Sequence, residues 1–194
     1  MSLFYELFVF LPDGIPGGVA VHRTHDVIES LGGELDEFSH LMLNETETDE
    51  PDAEPIVDAA EALQRLATWP TYGSISYSMP EGPATVSYDR TGDDPLVRSI
   101  KVGIYESMLD QRGEESQRRY RRLARELHDR FGATRTVMDL APTYRGFDWR
   151  QELERLDAGT YVGSYSVVDL RRESDDSRSL SSGDRPAETL AHPK

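Results

Sequence analysis

LFYELFVFL, residues 3–11, decides the fold class, because this stretch is apolar on both faces of an extended chain. Alternation places five apolar side chains on one face and three phenylalanines with a glutamate on the other: Leu3, Tyr5, Leu7, Val9 and Leu11 against Phe4, Glu6, Phe8 and Phe10. A strand that buries both faces lies in the interior of a sheet. We therefore predict a central strand over residues 3–11.

Helix and strand signals follow one another along the rest of the chain. Apolar spacing and capping residues predict helices over 24–33 with Thr24 as N-cap, 56–69, 114–131, and 148–159 with Gly159 past the end. Period-two stretches bounded by turn residues predict strands over 74–79, 84–89, 97–108, 133–140 and 160–170. Residues 35–43 fit either a helix or a strand.

This order predicts an α+β fold with a single mixed or mostly antiparallel sheet and helices packed on it. It permits an elaborated ferredoxin-like βαββαβ core that carries extra elements. We predict one domain over residues 1–172, interrupted by an acidic loop at about 44–55. The polar segment 173–194 has almost nothing to bury and is predicted to be disordered.

The chain is strongly acidic, with 36 acidic and 21 basic residues and a formal net charge of -15. Only Lys101 and Lys194 are lysines among those bases. An acid-rich, lysine-poor surface suits a cytoplasm full of salt, where screening suppresses self-repulsion, so we expect a halophilic prokaryote. A GC-rich genome explains the arginines but not the acids. Residues 3–11 show neither a signal peptide nor a membrane span, so we expect a cytoplasmic protein.

Metal and cofactor motifs are weak in this sequence. Cysteine is absent, which removes disulfides, thiolate metal sites and cysteine nucleophiles. His22 and His25 lie near Asp26, Glu29 and His40, but their spacing is not diagnostic of a metal site. The glycines of GIPGG, residues 14–18, lack a phosphate-loop pattern and indicate a plain turn. We predict no metal and no cofactor.

The helix over 114–131 carries most of the arginines in the one stretch of positive charge, residues 111–155. One stripe of this helix is apolar and should face the core: Tyr120, Leu123, Ala124, Leu127 and Phe131. The arginines then point outward, where four-residue spacing predicts the pairs Glu114–Arg118, Glu115–Arg119 and Glu126–Arg130. We interpret this face chiefly as a solvated surface. Second comes docking of a protein partner or of a homodimer through Arg118, Arg122 and Arg125, and nucleic-acid binding is disfavoured by the net charge.

The loop DLAPTYRGFDW, residues 139–149, is the candidate ligand site. It leaves a strand and enters a helix N-terminus, a position that favours anions. Arg145 could clamp a carboxylate or phosphate, with Tyr144 or Trp149 stacking beside it and Asp139 as a base. The alternative is that these aromatic residues only plug the loop onto the core.

Together these features favour a non-enzymatic binding or regulatory module over two alternatives. The first alternative is a small enzyme or anion-binding protein with its site in the 139–149 loop. The second is a nucleic-acid-associated protein that uses the arginine-rich helix 114–131. The sequence names no ligand, substrate or partner.

Overall fold

The computed structural model describes residues 4–44, 52–90, 95–105, 113–140, 149–159 and 168–172. In these residues one eight-stranded sheet is combined with four helices. The strands are β1 (Phe4–Pro16), β2 (His40–Leu43), β3 (Glu54–Pro55), β4 (Gly73–Met79), β5 (Gly82–Asp89), β6 (Leu96–Tyr105), β7 (Arg135–Leu140) and β8 (Val168–Arg171). The helices are α1 (Gly17–Ser30), α2 (Ala59–Thr68), α3 (Gly113–Phe131) and α4 (Trp149–Asp157).

The sheet has the strand order β3-β2-β4-β5-β6-β1-β7-β8, and every neighbouring pair is antiparallel. The α+β prediction is therefore confirmed, in its antiparallel form. β1 pairs with β6 on one side and β7 on the other, which confirms the predicted interior position of this strand for residues 4–11. β4, β5 and β6 form the expected meander.

Strand β1 is longer than predicted, and the predicted turn at residues 14–18 is wrong. After a register shift the strand continues to Pro16, where Ile15 pairs with Val97. Gly14 has a φ of 71°, a conformation that suits glycine, and it lets the chain rejoin β6 beyond the irregularity.

Helix α1 begins at Gly17, so the predicted N-cap at Thr24 is also wrong. Thr24 is completely buried inside the helix. The buried stripe of α1 starts two turns earlier than expected: it consists of Ala20, Val21, Thr24, Val27 and Ile28. The two glycines before this stripe suggested a turn. Gly17 instead packs closely against α2, since a Cβ there would lie 2.5 Å from the backbone oxygen of Ala67.

The main core lies between one face of the sheet and helices α1, α2 and α3. Leu7, Val9 and Leu11 of β1 point into it. The opposite face holds a smaller cluster, in which Phe8, Phe10 and Val137 pack against Leu156 of α4. The central strand thus has a core on each side, as its sequence requires.

A buried arginine fixes α4 and β8 to the sheet. The side chain of Arg135 is only 4% exposed, and its guanidinium donates two hydrogen bonds to Asp169 at 3.0 and 3.1 Å. A third hydrogen bond, of 3.1 Å, goes to Asp157 at the end of α4. Because charged hydrogen bonds are about twice as strong as neutral ones, this arrangement ties three elements together.

The remaining predictions concern shorter segments. Residues 35–39 form a loop and His40–Leu43 a strand, which resolves the ambiguous stretch 35–43. Gly159 follows α4 with a φ of 66°, as expected of a helix stop. Most of the acidic loop (residues 45–51), the tail 173–194 and most of the predicted strand 160–170 lie outside the described residues.

We expect Arg135→Met to lower the free energy of unfolding by about 2 kcal/mol. Breaking a fully buried ion pair costs about 3–5 kcal/mol. The expected loss is smaller here because Asp157 and Asp169 are 62% and 35% exposed and regain water. Urea unfolding measures the change. Arg121→Met, on the exposed face of α3, is the control, with an expected change within about 0.5 kcal/mol. Equal effects of both substitutions would contradict the role given to Arg135.

Candidate functional site

The predicted ligand loop at residues 139–149 lies largely outside the described part of the chain. Tyr144 and Arg145 are not described, and for Asp139 and Trp149 only the backbone is placed, at the end of β7 and the start of α4. This site therefore stays a prediction.

The histidines do not form a metal site in the described residues, where no group of three or more metal-ligating side chains comes together. His22 is exposed on α1. His25, one turn further on, has its Nδ1 3.3 Å from the hydroxyl of Tyr77 and its Nε2 3.5 Å from Glu29. Tyr77 is 1% exposed, so its contact with His25 joins α1 to β4, whereas the contact of His25 with Glu29 lies within α1.

Arg118, Arg122 and Arg125 of helix α3 are exposed as predicted, and the apolar stripe is buried from Tyr120 to Leu127, with Phe131 partly buried. Some of the ion pairs differ from the prediction. Arg122 pairs with Glu126 at 2.6 Å, and Arg130 lies 3.8 Å from Asp26 instead. Arg118 donates to the backbone oxygen of Glu114 and not to its carboxylate.

One arginine of this helix is not part of the solvated face. Arg119 is only 19% exposed and forms an ion pair with Glu81, whose side chain is 5% exposed. Its second contact, at 3.6 Å, is the predicted one with Glu115. The ion pair between Arg119 and Glu81 joins α3 to the β4–β5 turn, so we interpret it as structural.

A different surface emerges at the β3 edge of the sheet. The large hydrophobic side chains exposed in the described chain are Phe38 at 72%, Val57 at 97% and Tyr105 at 37%. Single exposed apolar residues are common, whereas contiguous exposed apolar patches mark interaction sites. Phe38 and Val57 lie on adjoining chain segments: His40 pairs with Pro55, the amide of Ile56 donates to the backbone oxygen of Ser39 at 3.1 Å, and Phe38 and Val57 directly adjoin these two residues in sequence.

The loop that carries Phe38 is held by Asp36. The Oδ1 atom of Asp36 accepts hydrogen bonds from the hydroxyl of Ser78 at 2.8 Å, the amide of Phe38 at 2.9 Å and the hydroxyl of Ser39 at 3.2 Å. The hydrogen bond from Ser78 is the main cause that lowers the pKa of Asp36. The backbone of Phe38 is therefore fixed while its ring faces solvent.

Val57 has a similar support on the other side. It directly precedes Asp58, the N-cap of α2, whose carboxylate accepts a 3.0 Å hydrogen bond from the amide of Glu61. An apolar residue before an N-cap often packs back onto the helix, and in α2 the residue at the receiving position is Ala62. Val57 is almost fully exposed and does not do so.

The far end of α2 is held by a buried arginine. Arg90 of the β5 end is 6% exposed and donates to the backbone oxygens of Leu66, at 3.0 Å, and Trp69. A cation is favourable at a helix C-terminus, where unpaired carbonyl groups accumulate. Both ends of α2 are thus fixed, and with them the surface beside Val57.

A cleft of about 220 Å³ lies between β3 and α2, next to Val57. Its apolar lining includes Leu41, Ile56 and Ala62, and its charged lining consists of Glu54, Asp58, Glu61 and Arg65. We call Phe38, Val57 and this cleft together the edge surface.

Acidic side chains outnumber basic ones in the lining of the cleft. Arg65 forms a two-point hydrogen bond with Glu54, at 2.7 and 3.1 Å, which lowers the pKa of Glu54. Asp58 uses one carboxylate oxygen to cap α2. Three carboxylates face one guanidinium, so the lining has a net charge of -2.

Sequence reasoning missed the edge surface. Its signal was present in the stretch DEFSH, residues 36–40, where an aspartate and a serine three residues apart are typical of a side-chain-stabilised turn. That motif would have predicted a loop that displays Phe38. The neighbourhood of Phe38 and Val57 depends on the β2–β3 pairing, which no local pattern indicates.

The fold and the edge surface define a class only: an α+β protein built on one antiparallel sheet. No protein family and no curated protein matches the chain. Two solved structures from Pseudomonas aeruginosa resemble it loosely. One is the toxic C-terminal tip of CdiA in complex with immune protein, with 7% identity over 73% of this chain and 88% of that chain and a TM-score of 0.44. The other is a T6SS protein, with 14% identity over 73% of this chain and 42% of that chain and a TM-score of 0.39.

No described helix has the length and the continuous apolar character that a membrane span needs.

We expect the double change Arg118→Glu and Arg122→Glu to alter the free energy of unfolding by less than about 1 kcal/mol, because exposed ion pairs contribute little. The oligomeric state should also stay the same. Urea unfolding and light scattering after gel filtration measure both quantities. A change from dimer to monomer would instead identify the arginine face as an interface.

We expect Asp36→Ala to destabilise the protein at neutral pH and to have a smaller effect in acid. The pKa of Asp36 is lowered on folding, so its contribution is complete above its ordinary value of 3.8 and is lost as pH falls through the folded value. Urea unfolding of both proteins from about pH 7 to about pH 3 tests this pH dependence. A difference between the two proteins that stays constant with pH would contradict it.

Proposed function

We propose that this chain is a non-enzymatic protein-binding module that docks a partner through the edge surface. The observation that carries the proposal is the exposure of Phe38 and Val57 on two adjoining backbone segments that are fixed by hydrogen bonds. Apolar anchors that are ordered before binding lose little conformational entropy on association. A loop that is only solvated does not need an ordered backbone.

The binding mode that fits this edge is side-chain docking and not strand addition. β3 consists of two residues, Glu54 and Pro55, and both are exposed. Proline has no amide hydrogen to donate to an added strand, and short edge strands with charges resist edge-to-edge pairing. The partner would therefore cover the Phe38 and Val57 side chains.

The enzyme alternative places its site in the 139–149 loop and remains a prediction. The cleft at the edge surface does not favour it, because about 220 Å³ is below the roughly 300–1,000 Å³ of most small-molecule sites. Nucleic-acid binding by α3 is disfavoured, since Arg119, Arg122 and Arg130 already contact carboxylates of the chain itself.

The scaffold for this function would be an elaborated ferredoxin-like core. β1, α1, β5, β6, α3 and β7 occur in the order βαββαβ, and their strands lie in the sheet order β5-β6-β1-β7. The edge surface would then belong to an insertion between α1 and β5. The cytoplasm of a halophilic prokaryote remains the proposed setting, supported by the excess of acidic residues.

The test compares the wild-type protein with the double variant Phe38→Ser and Val57→Ser. Both side chains are exposed, so we expect a change in the free energy of unfolding within about 0.5 kcal/mol. Affinity capture from an extract of the source organism, quantified by mass spectrometry, should recover a protein that the variant loses. That protein, once purified, should bind the wild type at least about tenfold more tightly than the variant.

The control removes one other exposed apolar side chain without touching the edge. Tyr105→Ser changes the third exposed hydrophobic residue, at the end of β6. It should leave capture unchanged. Identical capture by the wild type and by the Phe38/Val57 variant would refute docking at the edge surface.

A further inference from the structure

We infer that the partner docks a basic segment of polypeptide, with one arginine or lysine side chain in the cleft and apolar side chains on Phe38 and Val57. This inference rests on the proposed function and adds the chemistry of the partner. It is carried by the charge, the shape and the supports of the edge surface.

The local charge selects a cation. Arg65 is already engaged by Glu54, whereas Asp58 and Glu61 bring the cleft to its net charge of -2. Glu37 is exposed directly beside Phe38. An acidic segment would add negative charge to this lining when the interface excludes water.

The shape of the cleft suits a long cationic side chain. Ile56 and Ala62 supply apolar surface against which methylene groups can lie, and carboxylates stand at the same lining. Arginine and lysine bury their stems in this way while the charged end stays at a polar rim. The two-point contact between Arg65 and Glu54 is the geometry in which a guanidinium pairs with a carboxylate.

The net negative charge of the whole chain also favours a basic partner. Residues 1–110 contain 21 acidic and 5 basic residues, and the whole chain has a net charge of -15. Such a field speeds the encounter with a basic partner and slows the encounter with an acidic one. A general acidic surface for solubility in salt is the competing explanation, and it predicts no special role for Asp58 and Glu61.

The test is a selection of displayed random peptides of about 12 residues on the wild-type protein. The buffer contains about 1 M potassium chloride, which shortens the Debye length to about 3 Å and suppresses attraction to the net charge. We expect the enriched peptides to contain arginine or lysine next to apolar residues. They should be lost on the variant Phe38→Ser and Val57→Ser.

Two charge variants separate the cleft from the rest of the surface. Asp58→Asn and Glu61→Gln together remove two charges and keep the cap of α2, since asparagine is a good N-cap. Glu114→Gln and Glu154→Gln remove two charges from exposed positions on α3 and α4. A synthetic peptide of the most enriched sequence should lose roughly tenfold in affinity for the first variant and keep its affinity for the second.

The outcomes distinguish the two proposals. Enriched peptides that depend on Phe38 and Val57 but are neutral or acidic would overturn the basic partner and leave the binding module standing. Basic peptides that bind both charge variants equally would show general attraction only, which also overturns the inference. No enrichment that depends on Phe38 and Val57 would count against both proposals. Replacing the arginines of the enriched peptide by citrulline should weaken binding to the wild type.

Discussion

The structure depends on the burial of both faces of β1. Leu7 and Val9 face the helices, whereas Phe8 and Phe10 face the opposite side, where α4 covers them. A strand with these two requirements needs a hydrogen-bonded neighbour on each side and a layer on each face, which makes it the centre of the sheet. The contacts of the buried Arg135 with Asp157 and Asp169 then hold the second layer in place. The rest of the fold is arranged outward from this strand.

Burial decreases from that centre toward β3, and the character of the stabilising contacts changes with it. The core strands are held by apolar packing, but the edge is held by side-chain hydrogen bonds: Asp36 fixes the loop before β2, Asp58 begins α2, and Arg90 ends it. A region with little apolar area to bury needs such polar supports to stay ordered. The consequence is that Phe38 and Val57 can be exposed without loosening the backbone around them.

The sequence was sufficient for the elements whose burial pattern is local. The alternation of residues 3–11, the apolar stripe of α3 from Tyr120 to Leu127, and the helix stop at Gly159 all predicted what the structure contains. The prediction failed where a contact between distant residues sets the bounds of an element. Gly17 begins α1 and packs closely on Ala67, and β1 continues past Gly14, where Ile15 pairs with Val97. The edge surface belongs to this second group. Phe38 and Val57 are 19 positions apart, and only the β2–β3 register brings them together.

The distribution of charge links these observations to binding. Several arginines of α3 are compensated within the chain, through Glu81, Glu126 and Asp26, so the basic helix offers less free charge than its sequence indicates. At the edge surface the balance is reversed, because the lining of the cleft contains three carboxylates and one guanidinium, and Arg65 donates its hydrogen bonds to Glu54. Net negative charge beside ordered apolar side chains combines the two contributions that an interface uses, since apolar burial supplies affinity and charge supplies selectivity. The arginine-rich helix is prominent in the sequence, but the short acidic edge has the stronger physical basis for recognising another protein.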